Sequence, residues 1–174
     1  MIGRILLYGL AFGSASAALT YVHFVNALYA DRQMAAISIF AGVLIVGIAA
    51  FMFVKSLSHS EVGVKMGKAL FGTLCVGLII SVCTIICYGT VLGSMPEVKE
   101  DMLTRTESAI ENKMADEPDT TIKEKTVKVS EMIKTYEANI STGNFGKIQL
   151  MTNLSICMVV SLITFLYQYR HTIG

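Results

Sequence analysis

Two pairs of polar side chains interrupt otherwise apolar stretches, and they are the residues best placed to do chemistry. His23 and Asn26 lie three apart near the end of the first stretch; Gln149 and Asn153 lie one helical turn apart near the start of the last. On a helix, spacings of three and four put each pair on one face. Polar groups inside a bilayer are costly, so they are functional candidates by default. Together the four form a candidate polar pocket that would hold a solute through hydrogen bonds. The competing reading is structural: the same side chains bond the ends of neighbouring helices. The sequence favours that second reading.

Other chemistry thins out quickly. Cys83 and Cys87 have a spacing compatible with metal binding, yet no His or carboxylate lies near them on that segment. With Cys75 and Cys157 they sit in apolar stretches, and all four read as small buried hydrophobes rather than ligands or disulfides. His59 lies in a polar loop and reads as solvent-exposed. Asn139-Ile140-Ser141 matches a glycosylation acceptor, which matters only in a eukaryotic secretory route. The chain has no nucleophile elbow, phosphate-cradling glycine loop or metalloprotease helix. No Asp, Glu, Lys or Arg breaks the middle of a long apolar stretch, which argues against a proton-coupled pump or a charge-lined channel. The expectation is a protein without catalytic residues, cofactor or metal.

Composition says where such residues would sit. Of 174 residues, 53% are hydrophobic, and the mean hydropathy of +0.60 is well above that of a soluble domain. Four stretches, Ile5 to Tyr29, Met34 to Val54, Ala69 to Leu92 and Ile148 to Tyr169, are each long enough to cross the roughly 30 Å hydrocarbon core as a helix. Helix is the expected state because a lone strand leaves its backbone groups unpaired in lipid. Asp31-Arg32-Gln33 is a tight polar turn, so the first two spans form a hairpin. Arg4 and Ser14-Ala15-Ser16-Ala17 imitate a cleavable signal, but the apolar run continues to Tyr29 and reads as an uncleaved first span. The expected fold is all-α: a polytopic membrane protein with four transmembrane helices.

Charge supplies an orientation. Arg4 precedes the first span, Lys55, Lys65 and Lys68 fill the loop between the second and third, and Arg170 follows the fourth. The positive-inside rule puts those flanks, and both termini, in the cytoplasm. The segment before the last span then lies outside. From Met95 to Lys147 it carries eight basic and eleven acidic residues, a balance that gives no reason to expect a nucleic-acid partner.

That insert has its own period. Ser94, Pro96 and Glu97 read as a helix start with Ser94 as the N-cap, and Thr121 with Glu124 as a second capping box. Ile122, Thr126, Val129, Ile133, Tyr136 and Ile140 then recur at alternating steps of four and three, which is a coiled-coil seam. Gly143 reads as the C-terminal cap. The expectation is an antiparallel helical hairpin outside the membrane, with Ile122, Val129, Ile133, Tyr136 and Ile140 as the candidate partner interface. Small residues at every fourth position suggest a close contact between spans one and three, through Gly9, Gly13 and Ala17 on one and Thr73, Gly77 and Ser81 on the other. The chain thus divides into a three-span part (1–93), the outer hairpin (94–147) and the fourth span with a short cytoplasmic tail (148–174).

The short first hairpin, the Gly63-Val64-Lys65-Met66-Gly67-Lys68-Ala69-Leu70 lead-in to the third span and the Pro96-led charged insert carry a resemblance. They resemble a family of uncharacterised four-span bacterial inner-membrane proteins, a domain of unknown function. Met66 stands where that family often has an aromatic. The resemblance implies a location and a fold, and no catalytic residue. The function expected from all this is that of a non-enzymatic structural, accessory or interaction subunit. Its outer hairpin would meet another membrane or periplasmic protein, or a second copy, with lipids around the spans. The alternative is a small transporter or channel component that uses the polar pocket.

Overall fold

A computed structural model of the protein describes residues 1–58, 65–115 and 122–173, with side chains described except at 113–115, 122–126 and 169–173. Six α-helices follow one another: α1 (Ile2–Val25), α2 (Arg32–Ser58), α3 (Met66–Ser94), α4 (Pro96–Ala115), α5 (Ile122–Asn139) and α6 (Thr142–Ile173). Among the described residues there are no strands. Helices α1, α2, α3 and α6 are long and apolar enough to cross a membrane. This is the build of a multi-pass membrane protein.

The helix ends differ from expectation in ways that local chemistry explains. α1 stops at Val25, short of Tyr29, because Ala27 takes a left-handed conformation (φ 50°) before a single 3₁₀ turn over Leu28–Ala30. Asp31 caps α2: its Oδ1 accepts from the backbone N–H of Gln33 at 2.7 Å and of Met34 at 3.0 Å. Ser94 is the last residue of α3 and not the N-cap of α4. The break falls at Met95 (φ −132°, ψ 73°), since the residue before a proline is driven out of the helical region and Pro96 suits a first helical position. Gly143 does not end α5 either. α5 stops at Asn139, Ser141 Oγ accepts from the Asn144 N–H at 3.3 Å, and α6 begins at Thr142, six residues before the expected Ile148. Asn144 Nδ2 donates back to the Ala138 carbonyl at 2.9 Å, which satisfies an end group of α5. Thr121 and the Glu124 side chain, the expected second capping box, lie outside the described residues.

α3 is the central helix. It packs on α1, α2 and α6, and α2 also packs on α1 and α6. Thr73, Val76, Gly77, Ile80, Ser81, Thr84 and Tyr88 are all buried along it. Near its start the core is apolar, with Val46, Ala49, Ala50, Phe53 and Leu57 of α2 against Ala69, Val76 and Ile80 of α3. There Arg4 Nη1 donates to the Ser56 carbonyl at 2.7 Å and ties the start of α1 to the end of α2. Large apolar side chains such as Leu7, Ile37, Phe40, Phe71, Ile86, Ile163 and Leu166 face outward. In water they would be a liability; against acyl chains they are the expected outer surface.

At the other end of the bundle the core turns aromatic. Phe24, Tyr88, Val91, Val98, Met102 and Ile140 form a second cluster, with Tyr29, Tyr136 and Phe145 against it. Tyr88 and Phe145 stack with ring centroids 3.9 Å apart, and Tyr88 Oη donates to the Ile140 carbonyl at 2.6 Å. The cluster fastens α4 and the end of α5 onto the bundle. Tyr29 Oη also donates to Asp101 Oδ2 at 2.8 Å, and Arg105 Nε donates to the same oxygen at 2.8 Å. α4 and α5 pack on each other, and Lys99 pairs with Glu137 at 3.0 Å across them.

Candidate functional site: a polar cavity inside the bundle

Three of the four residues of the expected polar pocket meet. His23 of α1, with Gln149 and Asn153 of α6, lines a cavity of about 300 Å³ that is lined on a further side by Ser38, Ile39, Gly42 and Val43 of α2. This lies at the small end of the range for ligand sites. Asn26 is not part of it. It sits exposed at the end of α1, where its Nδ2 donates to the Val22 carbonyl at 3.1 Å. The three-residue spacing put Asn26 on the face of His23, but α1 ends there and the chain turns away.

The α6 side of the cavity is a hydrogen-bonded chain. Gln149 Nε2 donates to Asn153 Oδ1 at 3.3 Å, Asn153 Nδ2 to Ser81 Oγ at 3.0 Å, and Ser81 Oγ to the Gly77 carbonyl at 2.9 Å. Asn153 is 2% exposed, and of the three bonds the one from Asn153 to Ser81 crosses between helices, which is worth about 0.6 kcal/mol on the scale measured between membrane helices. This part of the pocket thus bonds α6 to the middle of α3.

His23 does not. Its Nδ1 is the buried side-chain polar atom that has no partner among the described residues. An unsatisfied buried polar atom costs about 1–3 kcal/mol unless something supplies the bond. The ring is held by its neighbours, edge-on to Phe24 with centroids 4.9 Å apart and 6.2 Å from Tyr29. A neutral imidazole has one N–H donor and one bare acceptor nitrogen, so Nδ1 takes either role according to tautomer.

Several lining residues escaped the sequence reading. Ser16 and Thr20 lie seven and three residues before His23, which is one helical face, and that spacing was the available signal. Ser16 Oγ lies 2.9 Å from Thr84 Oγ1, joining α1 to α3. Ser38 and Thr152 add hydroxyls, and Phe24 and Phe145 add rings. Ser38 is the one serine between Met34 and Val54, and nothing in its neighbours announces it. The lining contains no Asp, Glu, Lys or Arg.

The two small-residue stripes have different partners. Gly9 and Gly13 of α1 do meet α3, against Ile79 and Cys83. Gly77 and Ser81, however, face α6: a Cβ on Gly77 would lie 2.7 Å from Cys157 Sγ, and Ser81 takes the Asn153 bond. Thr73 Oγ1 is 3.3 Å from Ser161 Oγ, also on α6. Spans one and three are in close contact, but the small face of span three belongs to span four.

The seam residues are placed within the subunit. Ile140 is buried in the aromatic cluster, Tyr136 packs against it, and Val129 and Ile133 are half-buried. The Ile122 side chain lies outside the described residues, as does His59. The four cysteines are free, and the described residues contain no group of His, Cys, Asp or Glu arranged to hold a metal. No family model, curated protein or solved structure matches this chain, so its own residues carry the functional reading.

Proposed function

We propose that this chain is a non-enzymatic protein of a bacterial inner membrane that works by binding a small molecule within its bundle, as a component of a transport system or as an accessory subunit. In this reading both termini are cytoplasmic, and α4 and α5 form an antiparallel hairpin on the outer face, as in the four-span bacterial family it resembles. Arg4, Lys55, Lys65 and Lys68 gather at one end of the bundle, and positive charge favours the cytoplasmic side. The observation that carries the reading is the cavity between α1, α2 and α6, lined by the polar side chains of His23, Ser38, Gln149 and Thr152. Polar side chains at that depth in a membrane are expensive, and a bound polar group offsets the cost.

Partner docking by the hairpin seam has less support, because Tyr136 and Ile140 are already packed against the chain's own helices. The outward face keeps Val127 and Met132 exposed, and a partner protein or second copy would have to use those.

The test is to purify the full chain in lipid nanodiscs and measure retained small molecules by native mass spectrometry, with Gly42→Leu as the comparison. Gly42 lines the cavity, and a Cβ there meets only Leu19, another lining residue, at 4.0 Å, so a larger side chain at this position should take up cavity space. A bound mass in the natural chain that is lost in the variant is the expected result. Identical spectra without an adduct would sink the binding reading.

A further inference from the structure

We infer that the cavity takes the oxygen-bearing ring of a neutral, lipid-soluble molecule that arrives sideways from the bilayer; this rests on the binding reading above and names its ligand class. Access comes first. Ile39 and Val43 line the cavity and are also exposed on the bundle surface, at 68% and 38%. Thr152, on α6, is exposed as well. On a membrane helix such a surface meets acyl chains, so the mouth of this cavity opens into lipid. A ligand that lives in the bilayer reaches it without crossing the aromatic cluster.

Charge comes second. With no ionic side chain in the lining, a charged head group would enter a low-dielectric site uncompensated. A neutral ligand meets no such barrier. The polar groups present, His23, Ser38, Gln149 and Thr152, are all neutral hydrogen-bonding groups drawn from three helices. They suit a few oxygens, while Leu19, Ile39, Val43 and Ile156 suit carbon.

The third point is shape and proton inventory. A volume of about 300 Å³ holds a single substituted ring, with any longer tail left in the lipid. Phe24 and Phe145, which meet edge to face with centroids 6.4 Å apart, add aromatic carbon to the lining. The hydroxyls of Ser38 and Thr152 and the amide of Gln149 can each donate to a carbonyl oxygen or accept from a hydroxyl. Ring carbonyls and ring hydroxyls on an apolar tail are therefore the matching chemistry.

Two probes with the same tail and different heads separate the possibilities: decylubiquinone, neutral with ring carbonyls, and decyl phosphate, charged. Binding of each to the full chain in phosphatidylcholine nanodiscs is measured against empty nanodiscs. Nitrogen-15 NMR of histidine-labelled protein, with the His23 signal identified from His23→Leu, reads the imidazole directly. Decylubiquinone should bind saturably at one per chain, at least tenfold tighter than decyl phosphate, and should shift the His23 imidazole nitrogen resonances. Gly42→Leu and His23→Leu should each weaken it at least tenfold. Should either variant fail to fold, the other and the NMR shift still decide. Equal binding of the two probes, binding indistinguishable from empty nanodiscs, or saturable binding that leaves the His23 nitrogen unmoved overturns the inference. If neither probe binds while the natural chain still retains a mass that Gly42→Leu loses, the ligand class falls and the binding reading stands. If nothing is retained either, the cavity holds water only and both fall.

Discussion

Single residues decide how closely these helices approach. Gly77 is a case where the absence of one carbon sets a contact: a Cβ would press on Cys157 Sγ at 2.7 Å and reach the Asn153 carbonyl at 3.5 Å. Both neighbours belong to α6, and Asn153 is the residue whose amide binds Ser81 and lines the cavity. Gly77→Ala should therefore cost about 1–3 kcal/mol, the usual penalty for overpacking a tight core. Gly67 offers the contrast, since nothing lies within 4 Å of its Cβ position. There the gain in helix propensity should dominate, and Gly67→Ala should be neutral or stabilising by up to about 1 kcal/mol. Thermal unfolding of both variants in one detergent is the measurement, and equal effects would contradict the assignment of the α3 face to α6. Gly77 was visible in the sequence as part of a small-residue stripe. Its partner was not, because Gly9 and Gly13 form an equally good stripe and spacing along one helix does not say which neighbour it meets.

At the scale of elements, α4 is fastened to the turn between α1 and α2 by one carboxylate. Arg105 and Tyr29 both donate to Asp101 and hold its carboxyl below the usual aspartate value. Burial, followed by the bond to Asp101, pushes the Tyr29 phenol up to about 12. The signs give a window. A depressed carboxylate contributes stability above its unfolded value, near 3.9, and loses it as the pH falls through the lower folded value. A raised phenol contributes stability that is complete below about 10 and is lost as the pH rises from 10 towards 12. The fastening should thus be intact from about pH 4 to pH 10 and weaken on either side. Amide hydrogen exchange at α4 residues 97–105, compared with α3, is the readout, corrected for the intrinsic pH dependence of exchange. Asp101→Asn should remove the acid-side loosening, and an unchanged acid profile would show that the contact is idle. Nothing in the sequence joined Tyr29 to Asp101. They are 72 positions apart, and each reads locally as an ordinary end-of-helix residue.

For the whole molecule, the distribution of basic residues makes the strongest statement. With the termini and the α2–α3 connection inside, a cysteine at Ser108, exposed on α4, should react with an impermeant maleimide added to intact cells. A cysteine at Ser58, exposed at the end of α2, should stay protected until the cells are opened. The natural cysteines are at least partly buried among the spans, and a parent chain carrying only those is the background. The reverse pattern would invert the topology and place the cavity in the cytoplasmic half.

Length and hydropathy along the chain were enough to indicate four helices able to cross a membrane, helix throughout the described residues and a polar segment before the last of the four, because a bilayer demands long apolar helices whatever their neighbours. Pro96 likewise announced the start of α4, since its ring acts on its own backbone and the preceding residue. What only the tertiary structure decided is pairing. In lipid every face of a span is apolar, so the periodicity that points a soluble helix at its core is lost. Shape and a few hydrogen bonds then choose the neighbour. That is why Ser81 belongs to Asn153, why Ile140 lies under Tyr88, and why His23 meets Gln149 across a cavity while Asn26, three residues on, does not.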